Sequence, residues 1–166
     1  LTNHPEIGIV GSNTDLIDEA GKVFGRHTRP EKHLALKWQS LFSTPLIHPS
    51  IMGRVAIFKS NPYDETLHNS EDYELWSRLL FTTEIQFANL SESLLYYRVF
   101  KKSFTQALDP TKRTNSAKNT IRNIEHYFPL SEKETGLIIK SKQDAPLPLQ
   151  ERYTLFTMYR KVAKEF

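Results

Sequence analysis

The sequence predicts an α/β chain that gives way to an all-helical C-terminal segment. Up to about residue 106, apolar stretches with strand patterning alternate with runs of helical spacing, and beyond it only helical spacing recurs. The amount of apolar material agrees, since 39% hydrophobic residues in a chain of 166 supply one compact core with room for a helical appendage.

Residues 6–17, built around Ile7-Gly8-Ile9-Val10-Gly11, carry the first strand pattern. Asp18-Glu19-Ala20-Gly21 supplies turn chemistry, and Lys22-Val23-Phe24-Gly25 pairs back as a hairpin. Leu34, Trp38, Leu41 and Phe42 recur at helical spacing until Pro45, which makes residues 31–43 an amphipathic helix. Ile51 to Phe58 reads as a strand, residues 71–82 as a helix, and Ser93 to Val99 as a strand whose aromatic and aliphatic residues indicate burial. Asp109-Pro110 then opens a helix with Ala117, Ile121 and Ile124 inward. Ser131-Glu132-Lys133-Glu134 is a capping-box match that opens another. Asp144-Ala145-Pro146-Leu147-Pro148 breaks the chain before a third, with Leu149, Tyr153, Phe156 and Val162 as its apolar stripe. There is no internal repeat, and the chain divides into residues 1–106 and 107–166.

Several function classes drop out on composition. No apolar run is long enough to cross a bilayer and no charged-then-apolar leader opens the chain, so it reads as soluble and cytoplasmic. Zero cysteines remove disulfides, thiolate zinc sites and cysteine nucleophiles, and Asn89-Leu90-Ser91 is a chance-level glycosylation tripeptide. No Gly-rich phosphate loop, GxSxG elbow or HExxH helix is present, and the six histidines are scattered without metal-ligand spacing. A net charge of +3 is only mildly basic, and with no recognition module visible nucleic acid is not an expected partner. Between Arg98 and Arg122 seven basic residues face one acid, Asp109, which suggests phosphate or an anionic membrane surface met peripherally by a basic helical tail; solvated helix faces explain it as well. Leu1-Thr2-Asn3-His4-Pro5 has no initiator methionine and runs almost at once into a buried strand pattern, so the chain is expected to be a piece of a longer protein.

What remains is acid. Asp64, Glu65, Glu71, Asp72 and Glu74 place five carboxyls in eleven positions of a net-basic chain, a density that either solvates a surface or serves a site. Glu71 and Asp72 at a helix start, after Asn69 or Ser70 as a cap, complement the helix dipole, which is a sufficient structural account. Position favours a second account. Asp72 lies three, four and seven residues before Leu75, Trp76 and Leu79, so it heads the apolar stripe and points toward the protein, where a carboxylate makes a general base. Glu74, four before Arg78, falls on the outer face as an ordinary surface ion pair. Among other candidates, His48-Pro49-Ser50 sits where it could line a cleft, although a turn histidine and a capping serine explain it too. Trp76 lies on the amphipathic stripe, where it fills the core or offers a ring face for stacking, and Trp38 reads the same way.

Taken together, His4-Pro5-Glu6-Ile7-Gly8-Ile9-Val10-Gly11-Ser12, Ile17-Asp18-Glu19-Ala20-Gly21, His48-Pro49-Ser50, Tyr63-Asp64-Glu65, Ser70 to Leu79 and Leu94-Leu95-Tyr96-Tyr97-Arg98 resemble, in order and spacing, the family 2 glycosyltransferases of GT-A type. The resemblance covers about residues 3–106 and corresponds to the C-terminal, acceptor-side half of the catalytic domain. It implies part of a GT-A mixed sheet with flanking helices, Asp72 as catalytic base, and Glu71, His48, Ser50, Trp76 and Arg98 as residues around the substrates. It also implies inversion at the anomeric carbon as a sugar passes from a nucleotide-sugar to a hydroxyl of a carbohydrate or glycolipid acceptor, in cell-surface polysaccharide or glycolipid synthesis. The family's nucleotide pocket and metal-binding aspartates precede the His4-Pro5-Glu6 run, so the manganese or magnesium of the complete enzyme takes its ligands mostly from outside this chain, and the 166 residues alone are expected to be inactive. Relatives often carry a histidine two residues after the arginine that corresponds to Arg98; here Phe100 stands there, which leaves no metal ligand assigned to this half. A non-catalytic carbohydrate-binding or assembly domain on the same scaffold is the alternative, because function resides in the site rather than in the fold.

Overall fold

The computed structural model describes residues 1–67, 69–100, 110–143 and 146–166, the side chain of Pro110 excepted. In chain order the elements are β1 (Ile7–Ile17), β2 (Val23–His27), α1 (His33–Gln39), a 3-10 turn at His48–Ser50, β3 (Met52–Gly53), α2 (Val55–Ser60), α3 (Glu71–Thr82), β4 (Gln86–Arg98), α4 (Pro110–Glu125), α5 (Glu132–Ser141) and α6 (Leu149–Glu165). The expected boundary at residues 106 and 107, Asp109, and the Asp144-Ala145 part of the expected break lie outside the described residues.

The sheet is mixed and centred on β1. β4 runs parallel along one side of it, while β2 and β3 pair antiparallel end to end on the other, at Thr14–Ile17 and Ile9–Val10 respectively. Small residues let neighbours close on β1: a Cβ at Gly11 would lie 2.7 Å from Asn89 Oδ1 and 3.0 Å from the Leu46 side chain. The β1–β4 register slips around Asn13. Asn13 staples that irregularity by donating to the Ser91 carbonyl at 2.9 Å and accepting from the Arg29 amide at 3.0 Å.

Two clusters make the core. Ile9, Leu36, Leu46, Leu75, Trp76, Leu79, Leu80 and Phe87 join the sheet to α1 and α3. Leu41, Ile124, Leu137, Ile138, Leu155, Met158 and Val162 join the C-terminal helices to the segment after α1, and Phe81 packs against both clusters. Polar bonds fix the same docking: Tyr73 donates to the Ser40 carbonyl at 2.6 Å, and Asn123 of α4 donates to that carbonyl at 2.7 Å and to Ser77 Oγ at 3.0 Å. The capping box at Ser131 and Glu134 opens α5 as expected. Among the described residues no helix is long and apolar enough to cross a membrane.

Four expectations need correction. The run from Ile51 to Phe58 is two residues of strand followed by a helix. A short apolar run does not separate strand from buried helix by periodicity. Here the Arg54 amide donates to the Gly8 carbonyl at 3.0 Å, its guanidinium gathers the carbonyls of Leu1, His4, Pro5 and Ile7, and the chain turns so that Phe58 packs over Gly53. Helix α1 is shorter than residues 31–43 and buries Leu36, while Leu34 is exposed and Leu41 and Phe42 pack from beyond its end. Strand β4 begins seven residues before Ser93 and alternates, with Leu94 and Tyr96 outward. Helix α6 turns Leu155, Met158 and Val162 inward, and leaves Leu149, Tyr153 and Phe156 in solvent, because it carries apolar residues on two faces.

Candidate active site

Helix α3 forms over the residues its periodicity predicts, and its first turn is the centre of the site. The chain enters it through two consecutive left-handed residues, Asn69 at φ 67° and Ser70 at φ 70°. That conformation is strained for serine and is held from α4: Asn115 Nδ2 donates to the Asn69 carbonyl at 3.1 Å and Ser70 Oγ to the Lys112 carbonyl at 3.4 Å. The N-cap Ser70 makes no side-chain capping hydrogen bond. The entry instead aims Glu71 and Asp72 into a concave surface.

Two adjoining clefts meet there, of about 420 and about 540 Å3, and both are lined by Thr44, His48, Pro49, Asp72 and Tyr97. Each is the size of a small-ligand pocket. The first continues along Leu16, Phe24, His27 and Arg29, and the second along Glu71, Tyr73, Lys112 and Ser116. Burial pushes the Asp72 carboxyl up from its ordinary pKa, the Tyr73 amide bond at 2.7 Å and the charges of His48 and Lys112 pull it back, and Glu71 adds to the rise. A carboxylate with a raised pKa beside a cleft is a stronger proton acceptor than a solvated one.

His48 is fixed by aromatic walls. Its ring centroid lies 5.8 Å from that of Tyr63 and 5.8 Å from that of Trp76, and its Nδ1 is buried without a hydrogen-bond partner among the described residues. Arg29, which the sequence reading passed over, lines the same cleft. Its amide is pinned by Asn13 and its Nη1 by the Thr28 carbonyl at 2.9 Å, whereas Nε is buried and unpaired. Burial pulls the guanidinium down from its ordinary value, and among the described residues no carboxylate forms an ion pair with it. His27 is held below its ordinary pKa by burial and by Arg29, so it is neutral at neutral pH.

The structure thus brings Asp72, Glu71 and His48 together at the clefts, and the other expected residues do not line them. Trp76 is 0% exposed and packs between Phe58, Phe87 and His48, so it has no face to offer a sugar and is core; that expectation is corrected. Ser50 Oγ accepts from the Ser12 amide at 3.2 Å and is within bonding distance of the Ser12 and Ile47 carbonyls, which commits it to the turn. Arg98 donates to the Asp18 and Glu19 carbonyls at 2.9 Å and closes the hairpin turn, while its neighbour Tyr97 lines the cleft. Glu74 does not face solvent. Its buried carboxylate meets Arg78 Nε at 3.0 Å and Arg122 Nη1 at 2.9 Å, which ties α3 to α4. Of the expected basic stretch, Arg98 is bonded to the hairpin turn and Arg122 to Glu74, while Lys101 and Lys102 lie outside the described residues. Among the described residues no three of His, Cys, Asp or Glu converge to hold a metal ion, so no step is assigned to a cation here.

No family model matches the chain. It is similar to curated glycosyltransferases. An uncharacterized glycosyltransferase of Methanocaldococcus jannaschii is 32% identical over 101 residues, 60% of this chain and 34% of the relative. The O-antigen biosynthesis glycosyltransferase WbnJ of Escherichia coli is 35% identical over 100 residues, 59% of this chain and 39% of the relative. The chain spans well under half the length of the curated relatives it matches. The likeness to glycosyltransferases stands beside a half-buried carboxylate that lines both clefts.

Proposed function

We propose that the chain is the acceptor-side half of an inverting, family 2, GT-A-type glycosyltransferase, in which a sugar passes from a nucleotide-sugar to a hydroxyl of a carbohydrate or glycolipid acceptor. The observation that carries this reading is Asp72, half-buried at the junction of two clefts with its carboxyl pKa raised by burial. In this reading the acceptor hydroxyl lies against Asp72, which takes its proton as the oxygen attacks the anomeric carbon from the side opposite the leaving diphosphate. Glu71 and His48 flank the acceptor, Tyr97 gives it an apolar wall, and Arg29 faces an anionic group of the donor or acceptor. In this reading the nucleotide site and any divalent cation lie in segments that correspond to the remainder of the relatives' length, and the likeness to an O-antigen biosynthesis glycosyltransferase supports a role in surface polysaccharide or glycolipid synthesis. The test is the anomeric configuration of the product formed by the full-length protein from an α-linked nucleotide-sugar. A β-linked product supports the reading, a product of retained configuration refutes the direct displacement, and sugar binding without transfer assigns the scaffold to a carbohydrate-binding role.

A further inference from the structure

The inner residues of helix α6, Leu155, Met158 and Val162, pack in the second core. Opposite them, Leu149, Tyr153 and Phe156 stand at i, i+4 and i+7 with 83%, 67% and 56% of their surface exposed. The helical period places Arg152, Arg160 and Lys164 on that same face. Arg160 lies over the Phe156 ring at 5.8 Å, and none of the three cations pairs with a carboxylate among the described residues. The acids of the helix are elsewhere: Glu151 turns inward to Lys140 at 2.8 Å, and Glu165 falls on the flank.

A leucine, two aromatic rings and three cations on one exposed face, without an acid, match the interface of an anionic bilayer. The apolar side chains reach the boundary between headgroups and acyl chains while the cations meet lipid phosphates. A second copy of the chain is a poorer occupant, since the face would meet its own positive charge in a protein that already carries +3. We propose that α6 is an in-plane membrane-docking helix that seats the protein on anionic phospholipid. This inference rests on the helix face and not on the transfer chemistry.

Co-sedimentation of the 166-residue chain with vesicles of phosphatidylcholine alone, or with about one third phosphatidylglycerol, tests it. The expected result is binding to the anionic vesicles at least about tenfold stronger than to the neutral ones, weakened by salt. Arg152→Gln with Arg160→Gln and Lys164→Gln should lower the partition by roughly 100-fold, and Tyr153→Ser with Phe156→Ser by roughly tenfold or more. The control removes equal charge elsewhere, at the exposed Lys59, Lys118 and Lys133, and should have a far smaller effect. Circular dichroism and melting temperature check that every variant is folded, as the exposure of these side chains leads one to expect. Absence of binding to anionic vesicles overturns the proposal, as does an equal loss in the control, or undiminished binding by folded α6 variants. Dimerisation that the α6 substitutions abolish, without vesicle binding, would assign the face to a second copy and overturn it too.

Discussion

Replacing Glu74 with glutamine tests whether α3 is locked to α4 by charge. The carboxylate is 7% exposed and meets Arg78 and Arg122, which are 30% and 40% exposed. Glutamine keeps the volume and one acceptor but loses the charge, so both charge-assisted hydrogen bonds weaken and an amide N–H2 is turned toward a guanidinium. Each such bond is worth about 1.5–3 kcal/mol when undisturbed. Both arginines recover part of their hydration on release, which halves that figure and leaves a net loss of about 2 kcal/mol. For a chain of this size that is a fall in melting temperature of roughly 4–8 °C. The assay is chemical denaturation of Glu74→Gln, Arg122→Gln and the double variant. A coupling energy of about 1 kcal/mol between the two sites is expected. A loss under about 0.5 kcal/mol for Glu74→Gln, or strict additivity, would show that the residue is the surface group its spacing to Arg78 suggests.

Other consequences follow from the same turn of chain. Ser70→Gly removes the penalty of a positive φ and only a long bond to Lys112, so stability should rise by about 1 kcal/mol by denaturant titration; a decrease would mean that the Ser70 hydroxyl matters more than the backbone. Because the folded state raises the Asp72 pKa, the favourable protonated contribution is complete below the unfolded pKa and is lost as pH rises through the folded one. Asp72→Asn should therefore be at least as stable as wild type at neutral pH, with the two converging as pH falls, and a variant weaker by more than about 1 kcal/mol at neutral pH would contradict this. Calorimetric titration of the 166-residue chain with UDP or GDP and manganese should show no tight binding, since no three potential ligands converge among the described residues; low-micromolar affinity would place the donor site within this chain.

What the sequence discloses is what local spacing encodes. The span of α3 is legible because Leu75, Trp76 and Leu79 repeat at helical intervals behind two acids, and the start of α5 because a capping box is a contiguous signal. Asp72 is legible as a residue that faces inward for the same reason. Glu74 is misread because the partner that buries it, Arg122, is 48 residues away, and no periodicity reports a contact between helices. Arg29 goes unnoticed because its place in the cleft depends on the β1–β4 irregularity around Asn13. The left-handed pair at Asn69 and Ser70 is hidden because neither is glycine, and its strain is borne by α4. Helix α6 defeats the stripe reading since its two apolar faces have different partners, one the core and one the surroundings.

Turnover of Asp72→Asn in the full-length protein decides whether Asp72 is the base. Asp72→Asn preserves the size and the acceptor that the Tyr73 amide uses at 2.7 Å, so a purely structural Asp72 predicts near-normal turnover. A general base predicts that sugar transfer falls by roughly 100-fold or more while donor affinity and melting temperature stay close to wild type, because an amide cannot take the acceptor's proton. Retention of most of the transfer rate by a folded Asp72→Asn protein would contradict the assignment and remove the base from this site.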